Sequence, residues 1–164
     1  MIHTIRTYPD GVLRRVADEV KNITDEVREL ASDMAETMCA ARGVGLAANQ
    51  IGRSFRIITV EAGSEKESKP LVILNPIIVT LEGEDAAEEG CLSIPGFYET
   101  IKRAKEVMAK GVDIDGKELT IECSGLLARA FQHELDHLNG ILFVDHLSTV
   151  KKQLFKREYA KEKK

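Results

Sequence analysis

The chain has no tryptophan, four prolines and three cysteines, and aromatic residues make up 5% of its 164 positions. Each shortage excludes something. Three cysteines are an odd count without disulfide-scaffold spacing, which points to a reducing compartment. The prolines are scattered, and no repeat or low-complexity stretch marks a linker. No apolar run approaches the roughly 20 residues that span a bilayer. The opening Met1-Ile2-His3-Thr4-Ile5-Arg6 is not a signal peptide, because no apolar core follows it. An excess of positive charge is also missing. The net charge is −4, so no dominant nucleic-acid surface is expected. Together these absences predict a cytoplasmic protein with no membrane and no DNA partner.

What remains is an ordinary globular composition, 43% apolar and 30% charged. The length suits one domain, residues 1–164, with a real core. Charge is unevenly spread. Positions 151–164 hold seven basic and two acidic side chains, so this tail carries +5 and the rest −9.

The densest chemistry lies in Gln132-His133-Glu134-Leu135-Asp136-His137. Residues four apart share one face of a helix. His133 and His137 would therefore project together and could hold one metal ion. Glu134 beside them could take a proton from a metal-bound water. The helix itself is plausible. Ser124 can cap it, apolar residues from Leu126 to Leu138 recur at helical spacing, and Gly140 is a natural stop. Catalytic metal sites usually have three protein ligands and one open position, so a third ligand is expected elsewhere.

Cys91, in Glu89-Gly90-Cys91-Leu92-Ser93, supplies a thiolate of the right softness. Cys123 competes, but the alternation in 118–123 places it on the buried face of a strand. Cys39 falls near the apolar stripe of an earlier helix and reads as core. That helix starts at Thr24, carries Val27, Leu30, Ala31, Met34 and Met38 inward, and is expected to close at Gly43. A shorter helix is expected around Val12, Leu13 and Val16.

Strands are predicted at 56–61, 71–74, 77–81, 99–108 and 109–112. Asn75-Pro76 must form an edge or a bulge, and 62–70 reads as a polar hairpin loop. An Asp-Gly hairpin turn is expected at 113–116. Most of the acidic stretch 82–89 reads as a solvated rim. After the metal helix, 141–144 reads as a short buried strand. Residues 150–159 read as a basic helix with Val150, Leu154 and Phe155 inward.

Between the first long helix and the strands lies Gly43-Val44-Gly45-Leu46-Ala47-Ala48-Asn49-Gln50. No Gly-Lys-Ser/Thr follows, so it is not a phosphate loop. This stretch, Glu89-Gly90-Cys91-Leu92-Ser93 and Gln132-His133-Glu134-Leu135-Asp136-His137 stand in order. Together they closely resemble the peptide deformylases, whose patterns are GφGφAAxQ, EGCφS and QHExDH. The match spans essentially the whole chain, departs at no catalytic position, and looks like the shorter bacterial subtype with a helical C-terminus.

The resemblance implies an α+β fold with antiparallel sheets around a central metal-binding helix. It implies removal of the formyl group from N-formylmethionyl nascent peptides, with release of formate. It implies Fe²⁺ in the cell, with Zn²⁺, Ni²⁺ or Co²⁺ able to substitute. Cys91, His133 and His137 would be the ligands and Glu134 the base. The Gln50 amide and the Leu92 N–H would be the oxyanion donors. The peptide would pair as an added strand along Gly45. Val44, Leu126, the stem of Arg129 and the wall of the metal helix would form the methionine pocket, and Gly90 would also contact the substrate. Glu89 and Arg103 would pair behind the cysteine loop, while Asp136 is left between orienting a ligand histidine and capping a neighbour. The basic tail would dock on the ribosome.

Two rivals are weaker. A metzincin would need a third histidine where Phe143 stands. A structural zinc site would need a fourth protein ligand.

Overall fold

The computed structural model describes residues 1–64 and 66–162. Glu65 of the polar loop and Lys163 and Lys164 of the basic tail lie outside these residues. The fold is α+β, as expected.

A 3₁₀ turn at Gly11–Arg14 leads to helix α1 (Asp25–Ala40). Thr24 caps α1, its hydroxyl accepting from the Val27 N–H at 3.3 Å, and Asp25 and Glu26 sit in the first turn, where the helix dipole favours acids. The far end differs from expectation. Arg42, not Gly43, takes the left-handed conformation (φ 56°). The Gly43 N–H then reaches back to the Met38 carbonyl at 3.0 Å. Cys39 is exposed rather than core, because the buried stripe runs through Thr37 and Met38 beside it. The turn at Gly11–Arg14 buries Leu13 but leaves Val16 exposed.

Strands β1 (Gly45–Ala47), β2 (Ile57–Glu61), β3 (Pro70–Glu82), β6 (Glu106–Val112) and β7 (Glu118–Ser124) form an antiparallel sheet in the order β1-β2-β3-β6-β7. Between β3 and β6 in sequence, β4 (Asp85–Cys91) and β5 (Ile94–Arg103) form a separate hairpin. Asn75 is the expected bulge. Its φ is +51°, the register with β6 shifts between Leu74 and Ile77, and its side chain pairs with both backbone groups of Val20. The stretch 82–89 is more than a rim. It enters β4, and Glu89 is buried.

Helix α2 (Gly125–Leu138) packs on one face of the five-stranded sheet, bringing Ala128, Phe131 and Leu138 against Ile58, Val60, Ile73 and Ala109. Helix α1 covers the other face with Leu30, Met34 and Met38 against Leu46, Ile57 and Leu74. Ile57 and Ile58 of β2 thus go to opposite layers, as the two-residue period requires. Ser124 stands at the N-cap of α2 without making a side-chain bond.

Residues 141–144 are not a strand. Phe143–His146 is a 3₁₀ turn, because Asp145 captures the Leu142 N–H at 2.9 Å and turns the chain. Helix α3 (Thr149–Glu162) buries Phe155 and Tyr159, not Val150 and Leu154. Those two aromatics, four residues apart, join Tyr8, Phe97 and Phe143 in a third core cluster. Among the described residues, no helix is long and apolar enough to cross a membrane.

Candidate metal centre

Helix α2 lies between the large sheet and the β4–β5 hairpin, and that placement builds the site. His133 and His137, one turn apart, bring their Nε2 atoms to 3.1 Å. Cys91 ends β4 with its Sγ 3.3 Å from His137 Nε2. All three donor atoms lie within 4.8 Å of one another. Cys123 takes no part; its thiol faces the Val107 carbonyl at 3.7 Å.

The surroundings fit a bound cation. His133 Nδ1 lies 2.7 Å from Glu89 Oε2. Burial would push the Glu89 carboxyl up, but its hydrogen bonds to His133 and Arg103 prevail and hold it well below the usual carboxylate range. An anionic Glu89 fixes the proton on Nδ1 and leaves Nε2 to act as a ligand. Without a cation, burial works against protonation of His133, yet Glu134, Cys91 and Glu89 together outweigh it. Metal binding must therefore displace a proton there. Burial pushes His137 the other way and keeps it neutral, and its Nδ1 has no hydrogen-bond partner. The Ser93 N–H and the Gln50 amide point at Cys91 Sγ from 3.4 and 3.7 Å, as donors to a thiolate would. One thiolate and two imidazole nitrogens suit a borderline divalent transition metal.

Glu134 sits in the wall beside these donors, 3% exposed. Burial, reinforced by the Glu89 charge and opposed by His133, pushes its carboxyl up to about 7. Its Oε1 has no partner. Gly45 of β1 touches it from the opposite side, and a Cβ at that position would collide with the carboxylate. Gln50 is held at both ends. Its Oε1 accepts from the Ala47 N–H at 2.9 Å and its Nε2 donates to Ser93 Oγ at 3.0 Å.

A cleft of about 420 Å³ opens over this floor, lined by Val44, Gly45, Gln50, Gly90, Leu92, Leu126 and Arg129 among others. Every residue expected in the site is therefore brought to one place. Val44 and Leu126 stand exposed at the rim. A larger depression of about 680 Å³ over β3, β6 and β7 contains none of them.

Sequence reasoning missed the second duty of Arg129. Its guanidinium turns to Glu89 Oε1 (3.1 Å) and to the Ile101 and Asp85 carbonyls (2.9 and 2.8 Å). Glu89 thus has two arginine partners, and no local pattern signals the second. Tyr98 also lines the cleft, lying over Gly90. Asp136 orients neither ligand histidine; it binds Arg103 at 2.6 Å and His146 at 2.9 Å.

The family model for polypeptide deformylase matches residues 2–153. The chain belongs to the polypeptide deformylase family. Among its relatives, the peptide deformylase of Syntrophobacter fumaroxidans is 48% identical over 161 residues, covering 98% of this chain and 95% of that one. The crystal structure of a peptide deformylase from Legionella pneumophila superposes with TM-score 0.92 at 45% identity, over 99% of this chain and 96% of that one. That of the Ehrlichia chaffeensis enzyme in complex with actinonin superposes with TM-score 0.90 at 37% identity, over 98% and 97%. The expected family and fold class are both borne out.

Proposed function

We propose that this deformylase family member acts in the cytoplasm and hydrolyses the formyl group from N-formylmethionyl nascent peptides, releasing formate. One observation carries the reading. The Cys91, His133 and His137 donors converge beside a buried carboxylate, Glu134, whose Oε1 has no hydrogen-bond partner, at the floor of an open cleft. Cys91, His133 and His137 would hold Fe²⁺, or Zn²⁺, Ni²⁺ or Co²⁺ in its place. The cation would supply Lewis acidity, easing deprotonation of water and polarising the formyl carbonyl.

The chain's own groups do the rest. Glu134 takes a proton from the attacking water and returns it to the departing amine nitrogen. Burial, which raises the carboxyl in the metal-free protein, favours a group that can return the proton as well as take it. The Gln50 Nε2 and the Leu92 N–H stabilise charge on the formyl oxygen. Clamping of the Gln50 amide by Ala47 and Ser93 supports that role, because preorganised donors need no rearrangement during reaction. The short strand β1 ends the sheet at the cleft, where an extended peptide can pair with it beside Gly45. Val44, Leu126, the Arg129 stem and the wall of α2 enclose the methionine side chain, and Gly90 also contacts the substrate. The basic face of α3 docks on the ribosome.

The test is formate release from a short formyl-methionyl peptide by anaerobically purified protein. Release should stop on chelation and return with Fe²⁺. No release from fully metal-loaded protein would overturn the reading.

A further inference from the structure

Behind the centre, a chain of charged hydrogen bonds leaves His133 and runs to the surface. His133 Nδ1 meets Glu89 Oε2 at 2.7 Å. Glu89 is held by the Nη2–Nε edge of Arg103, at 2.7 Å from Nη2 and 3.1 Å from Nε. The remaining Arg103 nitrogen, Nη1, donates to Asp136 Oδ2 at 2.6 Å. That same oxygen lies 2.9 Å from His146 Nε2. His146 Nε2 is also 3.4 Å from Arg103 Nη1. Arg103 is a donor only, so the shorter contact decides the tautomer: Nε2 carries a hydrogen and gives it to Asp136.

The path opens away from the substrate. His146, Asp136 and Arg103 line a second concavity of about 480 Å³ that shares no lining residue with the cleft. The Glu89–Arg103 ion pair is the wall between the two.

Ion pairing shows what Asp136 does. Glu89 faces two guanidinium groups, those of Arg103 and Arg129. Arg129 has a second carboxylate of its own in Asp85, whose Oδ2 lies 3.5 Å from its Nη2. Asp136 is the corresponding second carboxylate for Arg103, 2.6 Å from its Nη1. Asp136 can serve only if its carboxylate is aimed at Nη1, and His146 is the second donor that aims it.

The turn that delivers His146 is itself anchored. Asp145 accepts a forked pair from Arg14 at 2.6 and 3.1 Å. Phe143, three residues before His146, lays its ring against His133 with centroids 6.0 Å apart. One four-residue turn therefore reaches the same ligand histidine by packing and by the charged chain.

We infer that His146 is a positioning residue of the metal centre. By fixing Asp136 it keeps Arg103 forked onto Glu89, and so sets how firmly His133 holds a cation. The inference rests on Cys91, His133 and His137 being the metal centre.

The test measures Co²⁺ affinity by competition with a chelator, together with melting of the metal-free protein. His146→Phe keeps a ring but removes the donor. It should weaken Co²⁺ binding by about 3- to 10-fold, less than the 10- to 100-fold typical of a group touching the ligand directly. Melting of the metal-free protein should not change. His146→Gln keeps a neutral N–H donor and should restore affinity to within about twofold. Asp136→Asn should weaken binding further than His146→Phe does. Parent-like affinity in His146→Phe, or an equal loss in His146→Gln, would overturn the inference. A parent protein that binds no Co²⁺ would instead overturn the metal centre, and the inference with it.

Discussion

A side chain at position 45 cannot coexist with Glu134 where that carboxylate now sits. Gly45→Ala must push Glu134 aside while leaving the three metal-donor residues untouched. A displacement near 1 Å can cost on the order of 10²-fold in rate, so kcat/KM for a formyl-methionyl peptide should fall by about that factor at unchanged metal content. Parent-like turnover would show that the contact does not fix the base. Glu134 carries a second, less obvious cost. Its folded value of about 7 lies above its ordinary 4.5. A raised carboxyl leaves stability intact below 4.5 and loses it as pH rises towards 7, because the unfolded chain ionises first. Glu134→Gln should therefore abolish turnover yet stabilise the metal-free protein at pH 8, by on the order of 3 kcal/mol, with little effect near pH 4. Equal melting of the two proteins at pH 8 would refute this. At this scale the sequence was most legible where chemistry is tied to fixed spacing, as in His133, Glu134 and His137. It was silent on the pairing of Arg129 with Glu89 and on His146, whose partners lie 40 and 10 residues away and meet them only through folding.

Among the elements, α2 and α1 were readable because long amphipathic periods leave little choice. The segment 141–144 was not. A run of four apolar residues fits a strand or a buried turn equally well, and one side chain, Asp145, decides between them. The inward face of α3 was misjudged for a related reason. Val150 and Leu154 are as apolar as their neighbours, but the docking surface is aromatic and takes Phe155 and Tyr159. Phe155 meets Phe97 at 4.7 Å and Tyr8 at 5.2 Å. Phe155→Ala should thus cost about 3 kcal/mol, a melting shift of roughly 6–12 °C for a chain of this size. A shift below that, read by calorimetry, would mean that α3 is only loosely applied to the body. The same burial makes truncation of α3 a poor test of partner binding, since it would open the core.

For the whole molecule, the antiparallel α+β class followed from the family resemblance that the three motifs carry. The pairing of β3 with β6, skipping an intervening hairpin, did not, because neighbours in sequence are the default expectation. Charge is organised at this scale too. Lys156 and Arg157 are exposed on α3 in a chain that is otherwise acidic. Reversing both to glutamate should weaken ribosome binding, most visibly at low salt, while hydrolysis of a short peptide is unchanged. Binding that ignores both the substitutions and the salt would reject docking through this face.

The aromatic stack that seats α3 joins Tyr8 to Tyr159, with ring centroids 5.7 Å apart. The chain must therefore be made from Tyr8 through Tyr159 before this part of the interior can close. Phe143, which rests on His133, belongs to the same cluster. Packing around the centre is thus coupled to synthesis of the chain as far as α3. A chain still emerging, with residues 141–162 enclosed, would have the motif residues in hand but not the packing that steadies them.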